Sequence, residues 1–564
     1  MSKLNRRTSN AARPTGGGPI RALAEPETLT YEGAAGYTRD LLSDFLLLGV
    51  SMPTEGSFYE TADARLSRFT GLARTIGRDN PEWMTGCIRH LRRHAHMRTA
   101  PLVAATAMAR ARQEAKLPGY TRQAVNAAVD RADEPGTLLN MWLTSYASAR
   151  YERHLRPLTL PKGLRRGLAD AVYRLYNQRS TLNWDSREAA VRFGDVVELI
   201  RPATHRPAIR GTEQGALLAY LLDRRHNRDK PIPEQLATIR SFTELMAVPA
   251  DQRRDLLRSW GPEATYRLRQ AGMSWKALTG WLETGMDTEA WIVALRLMRY
   301  EARLNNLRKF DRAGIPDEFA AEVAAQLANP DEVERARILP MKVLAAYLNT
   351  DSDRWRQPLA DALTAALPRI PELPGRTLVL IDTSASMRHE VSDHSSMQYI
   401  HTAALFGIAL AARNPGKVDV CGFADYTFQF HVPPGYVSVL QQVREFTRYI
   451  GYVGHGTKMW SALRTAFNGH DRIIILSDEQ AAGPGHHSFS GQDPVTIHQA
   501  VPAGVPLFVF NIAGYQPSAI PAGFPNIHEL CGLNDLSFDL IPLIEAGQRA
   551  NWPWMNTRDS EAAA

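Results

Sequence analysis

The sequence predicts two architectures in one chain, an α-helical solenoid followed by a doubly wound parallel-sheet α/β domain. Its 564 residues exceed what one hydrophobic core usually organises, so two or more domains are expected. From Leu29 to Leu367 the apolar residues recur at helical spacing almost throughout. After a Pro-rich stretch, LPRIPELPGR (Leu367–Arg376), the pattern changes to continuous Val/Ile/Leu/Phe runs separated by helical segments.

The first 26 residues, MSKLNRRTSNAARPTGGGPIRALAEP, are basic and rich in Gly and Pro with no apolar stretch. They are expected to be a disordered tail and not a signal peptide. Residues 27–370 are assigned to the helical region. TRDLLSDFLLLG, PEWMTGCIRHLRRHAHMR, GLRRGLADAVYRLYN, GALLAYLLDRRHN, TEAWIVALRLMRYEARLNNLRKF and PMKVLAAYLNT each carry the i, i+3/i+4, i+7 pattern. Pro, Gly and Asn/Asp clusters separate them. Many helices of this length with short connections suggest HEAT-like helix pairs, with a plain α-bundle as the alternative; no strict repeat is present.

Residues 371–549 form the α/β part, and 550–564 a C-terminal tail with two tryptophans, Trp552 and Trp554. TLVLID, KVDVCGFAD, DRIIILSDE and PLFVFNIAG read as strands buried on both faces. MQYIHTAALFGIALAARN, VLQQVREFTRYI and TKMWSALRTAFNG read as the helices between them. A sheet of this kind binds ligands at the carboxyl ends of its strands.

Charge is divided unevenly. The net charge is +7, but residues 376–549 hold 10 Lys+Arg against 14 Asp+Glu, while residues 1–375 hold 55 against 43. The basic excess therefore lies wholly in the first two-thirds of the chain, which suits polyanion binding, although a solvated arginine-rich surface would look the same. No apolar run is long enough to span a membrane, and the three cysteines (Cys87, Cys421, Cys531) are too scattered for a disulfide or zinc framework. A reducing, cytoplasmic setting is expected.

The densest chemistry lies in TLVLIDTSASM. Asp382, Ser384 and Ser386 stand at i, i+2, i+4 at the end of the first strand, so three oxygens can converge in one tight loop. One carboxylate with two hydroxyls suits a hard divalent cation such as Mg²⁺. Two more oxygens fall where the topology requires them, Thr457 in GYVGHGTKMW and Asp478 in IIILSDEQ. An α/β-hydrolase serine would need Gly-x-Ser-x-Gly, and DTSAS lacks both glycines. A helix cap or turn would explain one of these three places but not their coincidence. The set resembles the metal-ion-dependent adhesion site (MIDAS) of a von Willebrand factor A domain, and the five residues are assigned as its ligands.

Basic clusters punctuate the helical region. RHLRRHAHMR places Arg89, Arg92, Arg93 and Arg98 on a helix with three histidines. LPKGLRRGLADAVYRLYNQR carries Lys162, Arg165, Arg166, Arg174 and Arg179. LIRPATHRPAIRG carries Arg201, His205, Arg206 and Arg210. Guanidinium forks suit phosphate and stack on bases.

Taken together, the blocks resemble the Ro autoantigen (TROVE-domain) family in its bacterial form, from about Tyr31 to Glu545. FLLLGVSMPTEGSFY looks like an early family segment, and GLRRGLADAVYRLYN with VVELIRPATHRP like the central block. LNNLRKF and ARILPMKVLAAYLNT look like the closing helices, and ELCGLNDLSFDLIPLI like the C-terminal segment. The resemblance implies a helical ring closed by the A domain. It implies a non-enzymatic RNA-binding ribonucleoprotein component, monomeric in the free state, acting in RNA quality control. Its partners would be Y-like non-coding RNA and misfolded structured RNA with a single-stranded 3′ end, and polynucleotide phosphorylase or another exoribonuclease. Its central block nominates Arg187, Arg192, Arg201, His205 and Arg206 for RNA contact on the outer surface, and the basic clusters add Arg89, Arg92, Arg93, Lys162, Arg165 and Arg166. The chain departs from the family in SREAAVRFGDVVEL, which carries fewer basic residues than the family's lysine-rich stretch. The alternative is a scaffold whose A domain recruits an acidic protein partner through Mg²⁺. An ATP-coupled chelatase subunit is unsupported, because no Gly-x-x-x-x-Gly-Lys-Ser/Thr loop is present.

Overall fold

The computed structural model describes residues 28–29, 35–36, 41–50, 62–153, 160–202, 211–283, 285–350, 352–391, 396–433, 438–478, 493, 495–512, 526–531, 533, 537–548 and 552–555. The N-terminal tail, His205 and Arg206 lie outside them. By internal contacts the chain forms two compact units. One comprises Ser67–Arg299 with Ala313–Ile315; the other takes Tyr300–Arg312 and the chain from Pro316 onward, with residues 1–66. This division does not follow the change in hydrophobic period: the last helices of the helical region share a unit with the sheet.

The first unit is all helix. After the helix Ala62–Asp79, most of which belongs to this unit, come α1 (Pro81–Arg93), α2 (Thr99–Glu114), α3 (Thr121–Ala128), α4 (Glu134–Arg153), α5 (Lys162–Leu175), α6 (Gln178–Trp184), α7 (Phe193–Ile200) and α8 (Glu213–Arg225). Each packs mainly on helices close to it in sequence, the arrangement a solenoid pattern predicts. Start signals are local. Asn80 accepts from Trp83 N–H with Pro81 in the first helical position, and Thr212 accepts from Gly215 N–H. The faces turned inward are apolar, with Trp83, Cys87, Leu91, Leu138 and Trp142 fully buried.

Two helical expectations are corrected. RHLRRHAHMR is not one helix: α1 ends at Arg93, His96 is left-handed (φ 51°), and Met97 N–H returns to Leu91 C=O at 2.8 Å. Such a closure satisfies the orphan carbonyls of the last turn, so Arg98 sits at the entry to α2 instead. TEAWIVALRLMRYEARLNNLRKF is three helices, Thr288–Leu297, Tyr300–Leu304 and Leu307–Arg312. Met298 is extended, and Asn306 turns its amide back to Ala302 C=O at 2.7 Å, so asparagine chemistry breaks a periodic run.

In the second unit, α9 (Pro340–Leu348) and α10 (Arg356–Ala366) precede the sheet. Asp311 secures the turn between them, accepting from Trp355 Nε1 at 2.9 Å and pairing with Arg354. The sheet has six strands: β1 (Thr377–Asp382), β2 (Val418–Phe423), β3 (Thr427–Phe430), β4 (Arg472–Ser477), β5 (Leu507–Asn511) and β6 (Ile527–Cys531). Their order is β3-β2-β1-β4-β5-β6, with only β3 antiparallel. The four strands expected from sequence are the four central ones. β3 and β6 were not distinguished, because TFQF is only half-buried and IHELC is not a continuous apolar run.

β1 and β4 are buried at every position, as their unbroken apolar runs require. α11 (Tyr399–Arg413) lies against β1. Gly407 permits the approach, because a Cβ there would stand 2.9 Å from Ile381 Cδ1. Phe406 stacks on Phe538 of α14 (Ser537–Gln548) at 4.3 Å between ring centres. Trp552 in the C-terminal segment is buried and stacks on Trp554. No helix among the described residues is long and apolar enough to cross a membrane.

Candidate metal centre

Parallel register sets the site. Asp382 is the last residue of β1 and pairs with Phe423 of β2, while Ile381 pairs with Leu476 of β4. Ser477 and Asp478 therefore arrive at the same edge as Asp382. Asp382, Ser384 and Asp478 are buried, and Ser386 and Thr457 are half-buried. Asp382 accepts from Ser477 Oγ–H at 2.6 Å and from Ser384 N–H at 2.8 Å. The hydroxyls of Ser384 and Ser386 lie 3.1 Å apart. Ser384 is extended and opens the short 3₁₀ turn Ala385–Arg388, which points both hydroxyls to one side of the loop.

Burial, reinforced by the neighbouring Asp478 charge, pushes the Asp382 carboxyl up to about 7, against the lowering effect of the Ser477 and Ser384 hydrogen bonds. Two neighbouring buried carboxylates call for a proton or a cation to offset their charge. Among the described residues, no group of three or more His, Cys, Asp or Glu is assembled for a metal. The donor set here is carboxylate plus hydroxyl, the hard-oxygen chemistry that fits Mg²⁺.

The Thr457 loop is stitched to the same edge. Gly451 N–H donates to Thr383 C=O at 3.0 Å, Tyr426 N–H to Val453 C=O at 3.1 Å, and Lys458 N–H to Ala424 C=O at 3.0 Å. Asp425 accepts from the N–H groups of His455 and Gly456, and pairs with Lys458 Nζ at 3.3 Å. Gly454 (φ 106°) passes so close that a Cβ would land on the Asp425 carboxylate. Just beyond, α13 (Met459–Ala466) starts on Asp493, which accepts from Trp460 and Ser461 N–H. Sequence reasoning missed Ser477 and Asp425. Ser477 could have been found as the residue directly before Asp478 at a strand end; Asp425 had no signal beyond its place after a strand.

The nominated RNA residues are spread over the first unit. Arg89 and Arg93 are exposed on the last turns of α1. Arg92 lies between them but turns inward, bonding the fully buried Glu134 at 2.7 and 2.9 Å. Lys162 and Arg166 are exposed and Arg165 half-buried on the first turn of α5. Arg187 is exposed; Arg192 caps the start of α7 and pairs with Asp185 at 3.1 Å; Arg201 is exposed and left-handed at its end. The described ones are carried by α1, by α5 and by the segments at the two ends of α7. His90, stacked on His94, is lowered to about 4 by burial and by that neighbour's charge, so it is neutral near pH 7.

A mostly helical region followed by a six-stranded, mostly parallel sheet is consistent with an α-solenoid joined to a von Willebrand factor A-like α/β domain. The family model described as "TROVE domain" matches residues 288–367. A solved structure, that of the Deinococcus radiodurans RO (RSR) protein, is similar with a TM-score of 0.60 and 17% identity. The match covers 90% of this chain and 100% of that one. No curated protein matches the sequence. The family match is confined to the closing helices of the helical region, and the structural match shows that the chain shares the fold of that protein.

Proposed function

We propose that the chain is a non-catalytic RNA-binding protein of Ro type, acting in RNA quality control or processing. It takes the single-stranded 3′ ends of misfolded structured RNAs and small Y-like RNAs. The observation that carries this reading is the basic excess of residues 1–375, set on a helical scaffold whose closing helices match the TROVE domain. Phosphate contacts from exposed residues such as Arg89, Arg93, Lys162, Arg166 and Arg187 would supply affinity, and a free strand would present bases that a duplex hides. An exoribonuclease such as polynucleotide phosphorylase is the partner this role calls for, in the cytoplasm.

Asp382, Ser384, Ser386, Thr457 and Asp478 would hold Mg²⁺, which when bound would offer a coordination position to a partner's carboxylate. The chain's own residues keep that edge dry and fixed: Ser477 holds Asp382, and Asp425 holds the loop carrying Thr457. The second reading, a scaffold recruiting an acidic protein, is favoured by two tyrosines beside this edge, Tyr426 and Tyr452, about three-quarters exposed.

The test compares binding of one structured RNA with and without a single-stranded 3′ tail. Tighter binding of the tailed form supports the RNA reading. Equal, millimolar binding of both leaves the scaffold as the better account.

A further inference from the structure

Within the second unit, a cleft of about 320 Å³ opens between α9, α10 and α12 (Val439–Thr447). Three arginines line it, Arg356, Arg444 and Arg448, together with Tyr347, Leu440 and a single acidic residue, Glu445. None of these was singled out by the sequence, because Arg444 and Arg448 lie in the part of the chain whose net charge is negative.

The three cations are held differently. Arg448 pairs with Glu445 at 3.0 Å and Arg356 with Asp353 at 2.9 Å, both exposed pairs three residues apart. Pairs of that kind contribute little, and an incoming anion can displace them. Arg444 donates to the Tyr347 hydroxyl at 3.1 Å and makes no ion pair among the described residues. Its charge is therefore fixed in direction by a neutral partner and not neutralised. The half-buried Tyr347 ring beside three guanidiniums gives a surface for a flat ring next to donors for an anion.

We propose that this cleft is a nucleotide subsite for single-stranded RNA. Arg444 holds a backbone phosphate, Arg356 and Arg448 flank it, and Tyr347 lies against the base. The proposal rests on the RNA-binding reading and extends it to a place outside the basic helical unit. The volume matches one nucleotide unit, whereas a carboxylate alone would leave most of the cleft empty.

The test uses the full chain and a short 4-thiouridine-labelled oligouridylate, in binding titrations across salt and in photo-crosslinking mapped by mass spectrometry. Arg444→Gln is expected to weaken binding about tenfold, the scale of one charge-assisted hydrogen bond. It should also flatten the salt slope by about 0.7. Glu445→Gln frees Arg448 and should tighten binding severalfold, a gain that a folding defect does not mimic. Crosslinks should fall within Pro340–Leu348 or Val439–Thr447. If the parent binds the oligomer but Arg444→Gln and Arg448→Gln stay within twofold and no crosslink falls there, the cleft is off the RNA path and the proposal fails while the RNA reading stands. If uridine monophosphate or inorganic phosphate competes at the cleft but the oligomer does not bind there, the site serves free nucleotides and the strand proposal is overturned. Protection of the cleft by polyglutamate and not by RNA overturns it in favour of an acidic protein. An unmodified chain that binds no RNA overturns both readings.

Discussion

Ser477, at the end of β4, donates its hydroxyl to Asp382 at the end of β1, 2.6 Å away. This bond joins two adjacent strands at the edge where the candidate metal ligands gather, and it holds a carboxylate that burial and Asp478 both disfavour as an anion. Stability and metal response should therefore be coupled there.

Without metal, the folded chain keeps the Asp382 proton up to about pH 7, whereas an unfolded aspartate loses it near pH 4. The folded state thus binds more protons across that window, so stability is greatest below it and falls as pH rises through it. The full cost is on the order of 4 kcal/mol. Asp382→Asn should raise stability in chelator at pH 8 and leave it nearly unchanged at pH 4, as read by denaturant titration. Equal effects at both pH values would contradict the charge account.

Mg²⁺ should reverse the same penalty. At pH 8 a saturating concentration, about a hundredfold over the dissociation constant, should add about 2.7 kcal/mol of stability to the parent chain. Asp478→Asn and Ser384→Ala should lose most of that shift. A shift that survives Asp478→Asn would place the ion elsewhere.

Gly454→Ala tests the clamp on the Thr457 loop. A Cβ at φ 106° would strain the backbone and displace Asp425. The expected result is a destabilisation of about 1–3 kcal/mol and a weakened Mg²⁺ response, with RNA affinity kept. Loss of RNA affinity with an intact Mg²⁺ response would invert the assignment of roles.

Arg92 and its neighbours should separate structure from binding. Glu134 also accepts from the N–H groups of Asp130 and Arg131 at 2.8 and 2.9 Å and pairs with Arg98 at 3.4 Å, so Arg92→Ala removes its closest cation but leaves these partners and should cost about 1–3 kcal/mol. Arg89→Gln and Arg93→Gln, on the exposed face, should leave stability within about 0.5 kcal/mol and reduce RNA affinity and its salt slope. Calorimetric unfolding beside titrations of the three variants decides the matter.

The sheet was readable because its central strands are unbroken apolar runs, and the candidate metal centre because Asp382, Ser384 and Ser386 are close in sequence at a strand end. Ser477 and Asp425 were not readable, since their roles depend on register and on a loop that returns from thirty residues away. Arg92 shows the limit for charge clusters. It sits among exposed arginines in the sequence, and only helix phase and the position of Glu134 turn it inward. The Arg444 cleft was hidden for a related reason: Arg444 and Arg448 lie in a part of the chain with an acidic balance, and Arg356 comes from a segment about ninety residues earlier.

The most direct measurement of the central claim is the affinity of the purified chain for a single-stranded oligoribonucleotide across a salt series. The account expects log K to fall steeply with log[salt], by about 0.7 for each phosphate contacted, with a slope of about −3 or steeper. A flat dependence, or no measurable binding at low salt, would contradict it.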